Sequence, residues 1–121
     1  KVRSTKNRNY ILDWETDLYL GHIDSNGNQL RPHIVWFGEE VPALEEAVTI
    51  VEKADILIII GTSLQVYPAA GLMNFANPNI LVYYIDPKPA QIYDLPNEIK
   101  IIAATGSEGM KIVRKDLAKM K

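Results

Sequence analysis

Three short polar breaks in this sequence carry the residue types that could do chemistry. Gly61-Thr62-Ser63 follows directly on the apolar run Ile56 to Ile60. Glycine lets a backbone approach a ligand closely, two hydroxyls can donate or accept, and successive N–H groups can hold a phosphate. The same three residues also read as a strand stopper followed by a helix cap. Asp86 follows Leu-Val-Tyr-Tyr-Ile, where a carboxylate can accept bonds from a ribose hydroxyl, and Asp-Pro is equally a common turn opener. Gly106-Ser107-Glu108-Gly109 lies ahead of the last amphipathic stretch, and Ser107 with Glu108 can simply start a helix. If all three breaks end parallel strands, they converge at one edge, because open α/β sheets bind ligands outside the carboxyl ends of their strands.

Acid-base and metal machinery is sparse by comparison. The two histidines, His22 and His33, stand in unrelated contexts and fit no compact metal-ligand spacing. The absence of cysteine excludes disulfides, thiolate nucleophiles and cysteine metal sites. Glu39 and Glu40 follow Gly38 at the head of an expected helix, where carboxylates favour the helix dipole. The residues offer binding groups without an obvious catalyst.

The elements that must position these groups fit one compact domain of 121 residues, 47 % of them hydrophobic. Residues 1–31 read as a loop-rich module, with Asn26-Gly27 as the turn of a short hairpin. His33 to Gly38, rich in β-branched and aromatic side chains, predicts an extended segment. Pro42 opens a helix with an apolar stripe through Leu44, Ala47, Val48 and Val51, ending before Asp55. Asp-Ile-Leu-Ile-Ile-Ile-Gly predicts a strand covered on both faces. A helix follows with Pro68 near its first turn and Pro78 beyond its end, then a strand in Asn79–Pro87 cut off by Pro87, a third strand in Asn97–Ala104, and a closing helix with Met110, Val113, Leu117 and Met120 along one side. This alternation predicts an α/β fold with an open parallel sheet. Only three core strands are visible, fewer than a complete nucleotide-binding sheet has, and no G-x-G-x-x-G fingerprint is present.

Thirteen basic and fifteen acidic residues are interspersed, for a net charge of -2, which points away from direct nucleic-acid contact. The apolar runs are too short for a bilayer and no apolar leader follows the first residues, so a soluble, cytoplasmic protein without a membrane partner is expected. The chain opens on Lys1 rather than methionine, which suggests a piece of something longer.

Arg31-Pro-His-Ile-Val-Trp-Phe-Gly-Glu39, Gly61-Thr-Ser-Leu-Gln-Val-Tyr-Pro-Ala-Ala-Gly-Leu72, Tyr83-Tyr-Ile-Asp-Pro-Lys-Pro89 and Gly106-Ser-Glu-Gly-Met110 together resemble the C-terminal part of the sirtuins, NAD-dependent protein lysine deacylases. The resemblance implies a partial Rossmann-like sheet over residues 32–121 and a remnant of the family's small, normally zinc-binding module over 1–31. It implies NAD contacts from Gly61, Thr62, Ser63, Val66, Pro68, Asp86, Ser107 and Glu108. Residues 33–39 would be the peptide-binding segment, with Val35, Trp36, Phe37, Gly38 and Glu39 adding a strand to an acyl-lysine peptide. The Val35 carbonyl would accept from the acylated lysine, and Phe37 would wall its tunnel. The Arg31–Glu39 motif is most similar to the subgroup that accepts succinyl as well as acetyl groups.

Two departures qualify the resemblance. The family's four zinc cysteines correspond here to Ser4, Asn7, Ile23 and Asn26, so no zinc is expected, and packing of Trp14, Leu18 and Leu20 would have to fasten the module instead. The family's catalytic histidine and phosphate-binding loop precede the point corresponding to Lys1, so the isolated chain is expected to be inactive and to need the missing N-terminal half as its partner. The alternative is a non-catalytic NAD- or nucleotide-binding α/β module or inactive fragment.

Overall fold

The computed structural model describes residues 1–120, which form two compact units, one over Lys1–Glu40 and one from Val41 onward. The first unit is built on a three-stranded antiparallel sheet, β1 (Val2–Ser4), β2 (Ile11–Leu12) and β3 (Leu30–Pro32), in the order β2-β1-β3. Val2 and Leu30 are its buried apolar residues, and beside them lie buried Arg3, Ser4 and Asp24. So small an apolar core leaves polar bonds to hold the rest. The Asn26-Gly27 turn forms as the sequence predicts. Gly27, at φ +80°, donates to the Asp24 carbonyl, and Ile23 bridges to Gln29 beyond it.

Asp24 is the hub of this unit. Its Oδ1 accepts from the backbone N–H groups of Asn26 and Asn28, both at 2.8 Å, while the Asn28 side-chain amide reaches Oδ2 at 3.0 Å. The Ser4 side chain, the strongest influence on its charge, and the Asn28 and Asn26 donors hold the Asp24 carboxyl down at about 2, against the opposing effect of burial. Ser4 Oγ in turn accepts from the N–H groups of Lys6 and Asn7, both at 3.1 Å. The expected apolar fastener is corrected accordingly. Leu20 is 94 % exposed and Trp14 and Leu18 are only half-buried, so oxygen acceptors organise the two turns.

The expected extended segment at His33–Gly38 is not a strand. β3 ends at Pro32, one further bond runs from His33 N–H to the Lys1 carbonyl at 3.1 Å, and Glu39 N–H donates to the Trp36 carbonyl at 3.1 Å to close a turn, with Gly38 at φ +84°. The Glu39 carboxylate locks that turn. It accepts from Trp36 N–H at 3.1 Å, from Arg3 Nη2 at 3.2 Å and from both terminal nitrogens of Arg31. Arg31 above all, then the Trp36 N–H, lowers its carboxyl to about 2. Arg31 and Glu39 thus belong to one compact unit, Lys1–Glu40.

The second unit is an α/β layer: α1 (Leu44–Glu52), β4 (Ile56–Ile60), a 3-10 helix (Ala69–Phe75), β5 (Leu81–Ile85), β6 (Ile99–Ile102) and α2 (Gly106–Lys119). The strands are parallel in the order β4-β5-β6. The expected helix between Pro68 and Pro78 winds as a 3-10 helix, with Gly71 N–H on the Pro68 carbonyl at 2.9 Å, the tighter form that short segments adopt. Val82, Tyr83, Tyr84 and Ile85 of the central strand are completely buried. Tyr83, Ile85 and Val113 form the core, joined by Ile56, Ile58, Leu81, Ile102 and Leu117. Full burial of a side chain such as Ile85 or Val113 contributes about 1.5–3 kcal/mol. The inward stripe of α2 is Gly109, Val113 and Leu117, whereas Met110 and Met120 are exposed. A Cβ at Gly109 would lie 2.3 Å from Ile85 Cγ2, so the helix crosses the sheet closest at this glycine, and that contact sets which face turns inward. No helix among the described residues is long and apolar enough to cross a membrane.

Acid should dissolve the first unit before the second. Both Asp24 and Glu39 have carboxyls lowered in the fold, so their stabilisation is fully present above the ordinary carboxylate range near 4 and is lost as pH falls through about 2. The chain's two tryptophans, Trp14 and Trp36, both lie in this unit and report on it alone. Their emission should change between about pH 4 and 2. A transition complete above that range would show that these carboxylates do not hold the unit.

Candidate functional site

The register of the parallel sheet aligns the three polar breaks. Ile60 pairs with Ile85, and Ile85 with Ile102, so the residues that follow them, Gly61, Asp86 and Ala103, stand side by side at the carboxyl edge. Two further backbone bonds carry the ladder past the strands, Gly61 N–H to the Ile85 carbonyl at 2.9 Å and Asp86 N–H to the Ile102 carbonyl at 3.2 Å. The start of α2 closes on the same edge. A Cβ on Gly106 would touch Ile60 Cγ2 at 3.0 Å, so the glycine is what lets the helix start this near the end of β4. The structure thus brings together Gly61, Thr62, Ser63, Asp86, Ser107 and Glu108.

Each break has a defined local form. Gly61 takes φ +64°, a conformation that suits glycine, and redirects the chain out of β4. Thr62 Oγ1 accepts from Leu64 N–H at 3.1 Å, and Leu64 is held at φ +55°, where a branched side chain is strained. Neither the Thr62 nor the Ser63 N–H has an acceptor among the described residues, so both are free to donate to an anion at the strand end. Asp86 Oδ1 accepts from Lys88 N–H at 2.7 Å, which commits one carboxylate oxygen to the turn and leaves the other for a ligand. The Ser107 hydroxyl lies 3.5 Å from Thr105 Oγ1, and Glu108 Oε1 accepts from Lys111 at 2.6 Å, so the acidic group is paired along the helix surface.

Val66 and Pro68 lead from this loop into the 3-10 helix, and both are exposed. Val66 lines a cleft of about 350 Å³ with Thr62, Leu64, Ala70 and Met73, to which β4 contributes Leu57 to Ile60. Val35, Trp36, Phe37, Gly38 and Glu39 belong to the first unit. There Val35, Trp36 and Phe37 are exposed apolar residues, Phe37 at 88 %, while Glu39 is absorbed by its two arginines. Residue types alone gave no hint of the Arg3–Glu39–Arg31 knot, because its members are distant in sequence. The buried Tyr84 was also missed, although a tyrosine inside a fully apolar strand must find a partner for its hydroxyl. It donates to the Thr62 carbonyl at 2.8 Å and accepts from Ala90 N–H at 2.9 Å.

The places corresponding to zinc donors do not suit that metal. Ser4 Oγ is occupied by backbone donors, Ile23 is a half-exposed hydrocarbon, and Asn7 and Asn26 carry neutral amides. Among the described residues no three His, Cys, Asp or Glu side chains cluster as metal ligands.

Comparison with known proteins shows the family. The description of the Sir2 family matches residues 2–68. An NAD-dependent protein deacylase of Helicobacter pylori strain J99 is 50 % identical over 119 residues, covering 98 % of this chain and 50 % of that protein. The crystal structure of a Sir2 homologue–NAD complex superposes with a TM-score of 0.75 at 29 % identity, covering 99 % of this chain and 48 % of the other. A Sir2 bound to acetylated peptide gives 0.61 at 26 % identity, over 77 % of this chain and 40 % of the other. The chain spans about half the length of the curated relatives it matches. With the family pattern running from β1 through the strand-end loop to Pro68, and the sheet built as in its solved relatives, the chain belongs to the Sir2 family.

Proposed function

We propose that this chain is the C-terminal part of an NAD-dependent protein lysine deacylase, removing acetyl and also succinyl groups. The observation that supports the reading is the sheet register, which lines up Gly61 and Asp86 at one carboxyl edge, where Gly106 brings the start of α2 against Ile60. In this reading the Thr62 and Ser63 N–H groups and hydroxyls hold the NAD phosphates and the nearby ribose, and Asp86 accepts from the adenosine ribose through its uncommitted oxygen. Ser107 and Glu108 flank the adenine side, and Val66 and Pro68 shape the loop behind the nicotinamide ribose. Residues 33–39 present backbone groups and the exposed Val35, Trp36 and Phe37 to the acyl-lysine peptide. The turn fixed by Glu39 supplies this surface in place of a preformed strand, and Glu39 acts through that turn.

NAD supplies the reactive ribose carbon to which the acyl group passes as nicotinamide leaves. The residues of this chain position it. His22 Nδ1 accepts from Tyr19 N–H, a local structural use, and neither histidine corresponds to the family's general base. The reading therefore requires the remaining half of the domain as partner, and β4 suits that partnership. It is an edge strand whose five apolar residues are only partly covered, although such a run fits a strand flanked on both sides. Residues 1–31 are in this reading a small module that has exchanged its zinc for the Ser4–Asp24 hydrogen bonds.

Mass spectrometry of the isolated chain with NAD and an acetyl- or succinyl-lysine peptide should show no acyl-ADP-ribose and no nicotinamide release. The same chain combined with the N-terminal half of the Helicobacter pylori relative should yield both products. Turnover by the chain alone, or none by the combination despite association, would contradict the reading. Elemental analysis of the purified chain should find no stoichiometric zinc, and chelator should leave the tryptophan emission unchanged. One zinc per chain would overturn the metal-free module.

A further inference from the structure

We propose that Tyr84 is a positioning residue that sets the distance and orientation between the Gly61–Ser63 loop and the Asp86–Ala90 loop, and so the affinity for the dinucleotide. This inference rests on the NAD reading above. Tyr84 is the fourth of the five residues of the central strand, and its side chain is completely buried. Its hydroxyl uses both of its capacities. It donates to the Thr62 carbonyl at 2.8 Å, across to the loop after β4, and accepts from Ala90 N–H at 2.9 Å, in the loop after its own strand. One oxygen atom therefore ties together the two loops that the sheet register brings side by side.

The bond to Thr62 acts on the ligand face through peptide geometry. The Thr62 carbonyl and the Ser63 N–H belong to one planar trans peptide, so they point in opposite directions. Holding the carbonyl toward buried Tyr84 turns the Ser63 N–H away from the core, and that N–H has no acceptor among the described residues. The bond to Ala90 acts at the far end of the turn that begins at Asp86, whose near end is fixed by Lys88 N–H on Oδ1. Anchored at both ends, the turn holds the second Asp86 oxygen in place. Leu64 stays in its strained left-handed conformation only while this surrounding geometry is maintained, and the Tyr84 hydroxyl is the bond that reaches that loop from the core.

The neighbouring Tyr83 provides the contrast. It is equally buried on the same strand, but its hydroxyl has no hydrogen-bond partner among the described residues and its ring joins Ile85 and Val113 in the core. Tyr83→Phe removes an oxygen that holds nothing, whereas Tyr84→Phe removes one that holds two loops.

Both variants should be made in the full polypeptide that joins this chain to the remainder of its domain, and NAD affinity, KM for NAD, KM for the acyl peptide and kcat measured together. Tyr84→Phe should weaken NAD binding and raise its KM about five- to tenfold, the effect of losing two buried neutral hydrogen bonds. Peptide KM and kcat should change less than twofold, and Tyr83→Phe should leave all four values unchanged. A general loss of folding would instead lower kcat and disturb both substrates alike. If wild type binds NAD and Tyr84→Phe binds it equally well, the positioning role is wrong while the NAD reading stands. If wild type does not bind NAD, both fail.

Discussion

The parallel pairing of β5 with a strand on either side is the constraint on which the second unit and its candidate site depend. A parallel ladder admits one register when the central strand is buried on both faces, because a slip of one residue would exchange Tyr83 and Ile85 with Val82 and Tyr84. The core requires Tyr83 and Ile85 together on the side of Val113. That requirement places Ile60, Ile85 and Ile102 in line, and therefore places the loops after them in line. Gly109 tightens the same arrangement by letting α2 settle onto Ile85, which delivers the helix start to the edge. A packing requirement inside the sheet thus becomes a row of polar groups outside it.

The first unit solves a different problem. With Val2 and Leu30 as its buried apolar residues, it relies on buried polar groups, each of which is costly unless its bonds are made. Asp24 and Glu39 meet that condition by accepting several donors each, from backbone amides in one case and two arginines in the other. A metal joining the same turns would supply few, strong bonds, whereas these oxygens supply many weak ones. These bonds form because Ser4 and Asp24 both face backbone N–H groups of the turns that follow them. The unit's fold therefore depends on the charge of two carboxylates.

Much of the second unit was legible in the sequence because its signals are local. Isoleucine-rich runs closed by glycine, prolines at helix starts and the alternation of strand with helix specify parallel strands and where each of them ends. The polar breaks at Gly61, Asp86 and Gly106 could be placed together for the same reason. Illegible were the features made by residues distant in the chain. Phe37 and Trp36 read as strand-forming, but the carboxylate of Glu39, gripped by Arg3 and Arg31, bends their segment into a turn. Leu20 read as core, yet the unit holds its shape through Asp24. The bond from Tyr84 to Thr62 spans two strands and depends on a rotamer that composition does not reveal.

In the proposed reading β4, an edge strand here, is an interior strand of a larger sheet whose carboxyl edge forms the site. Gly61 N–H donates to β5, so the alternation of a strand directs the Ile59 N–H the same way and leaves the Ile58 and Ile60 N–H groups on the open side. Amide hydrogen exchange measured with and without the N-terminal half of the Helicobacter pylori relative tests this directly. Ile58 and Ile60 should exchange quickly in the chain alone, while Val82 to Ile85 are protected, and should become protected when the two halves combine. Exchange at Ile58 and Ile60 that remains fast in an NAD-binding assembly of the two halves would contradict the account.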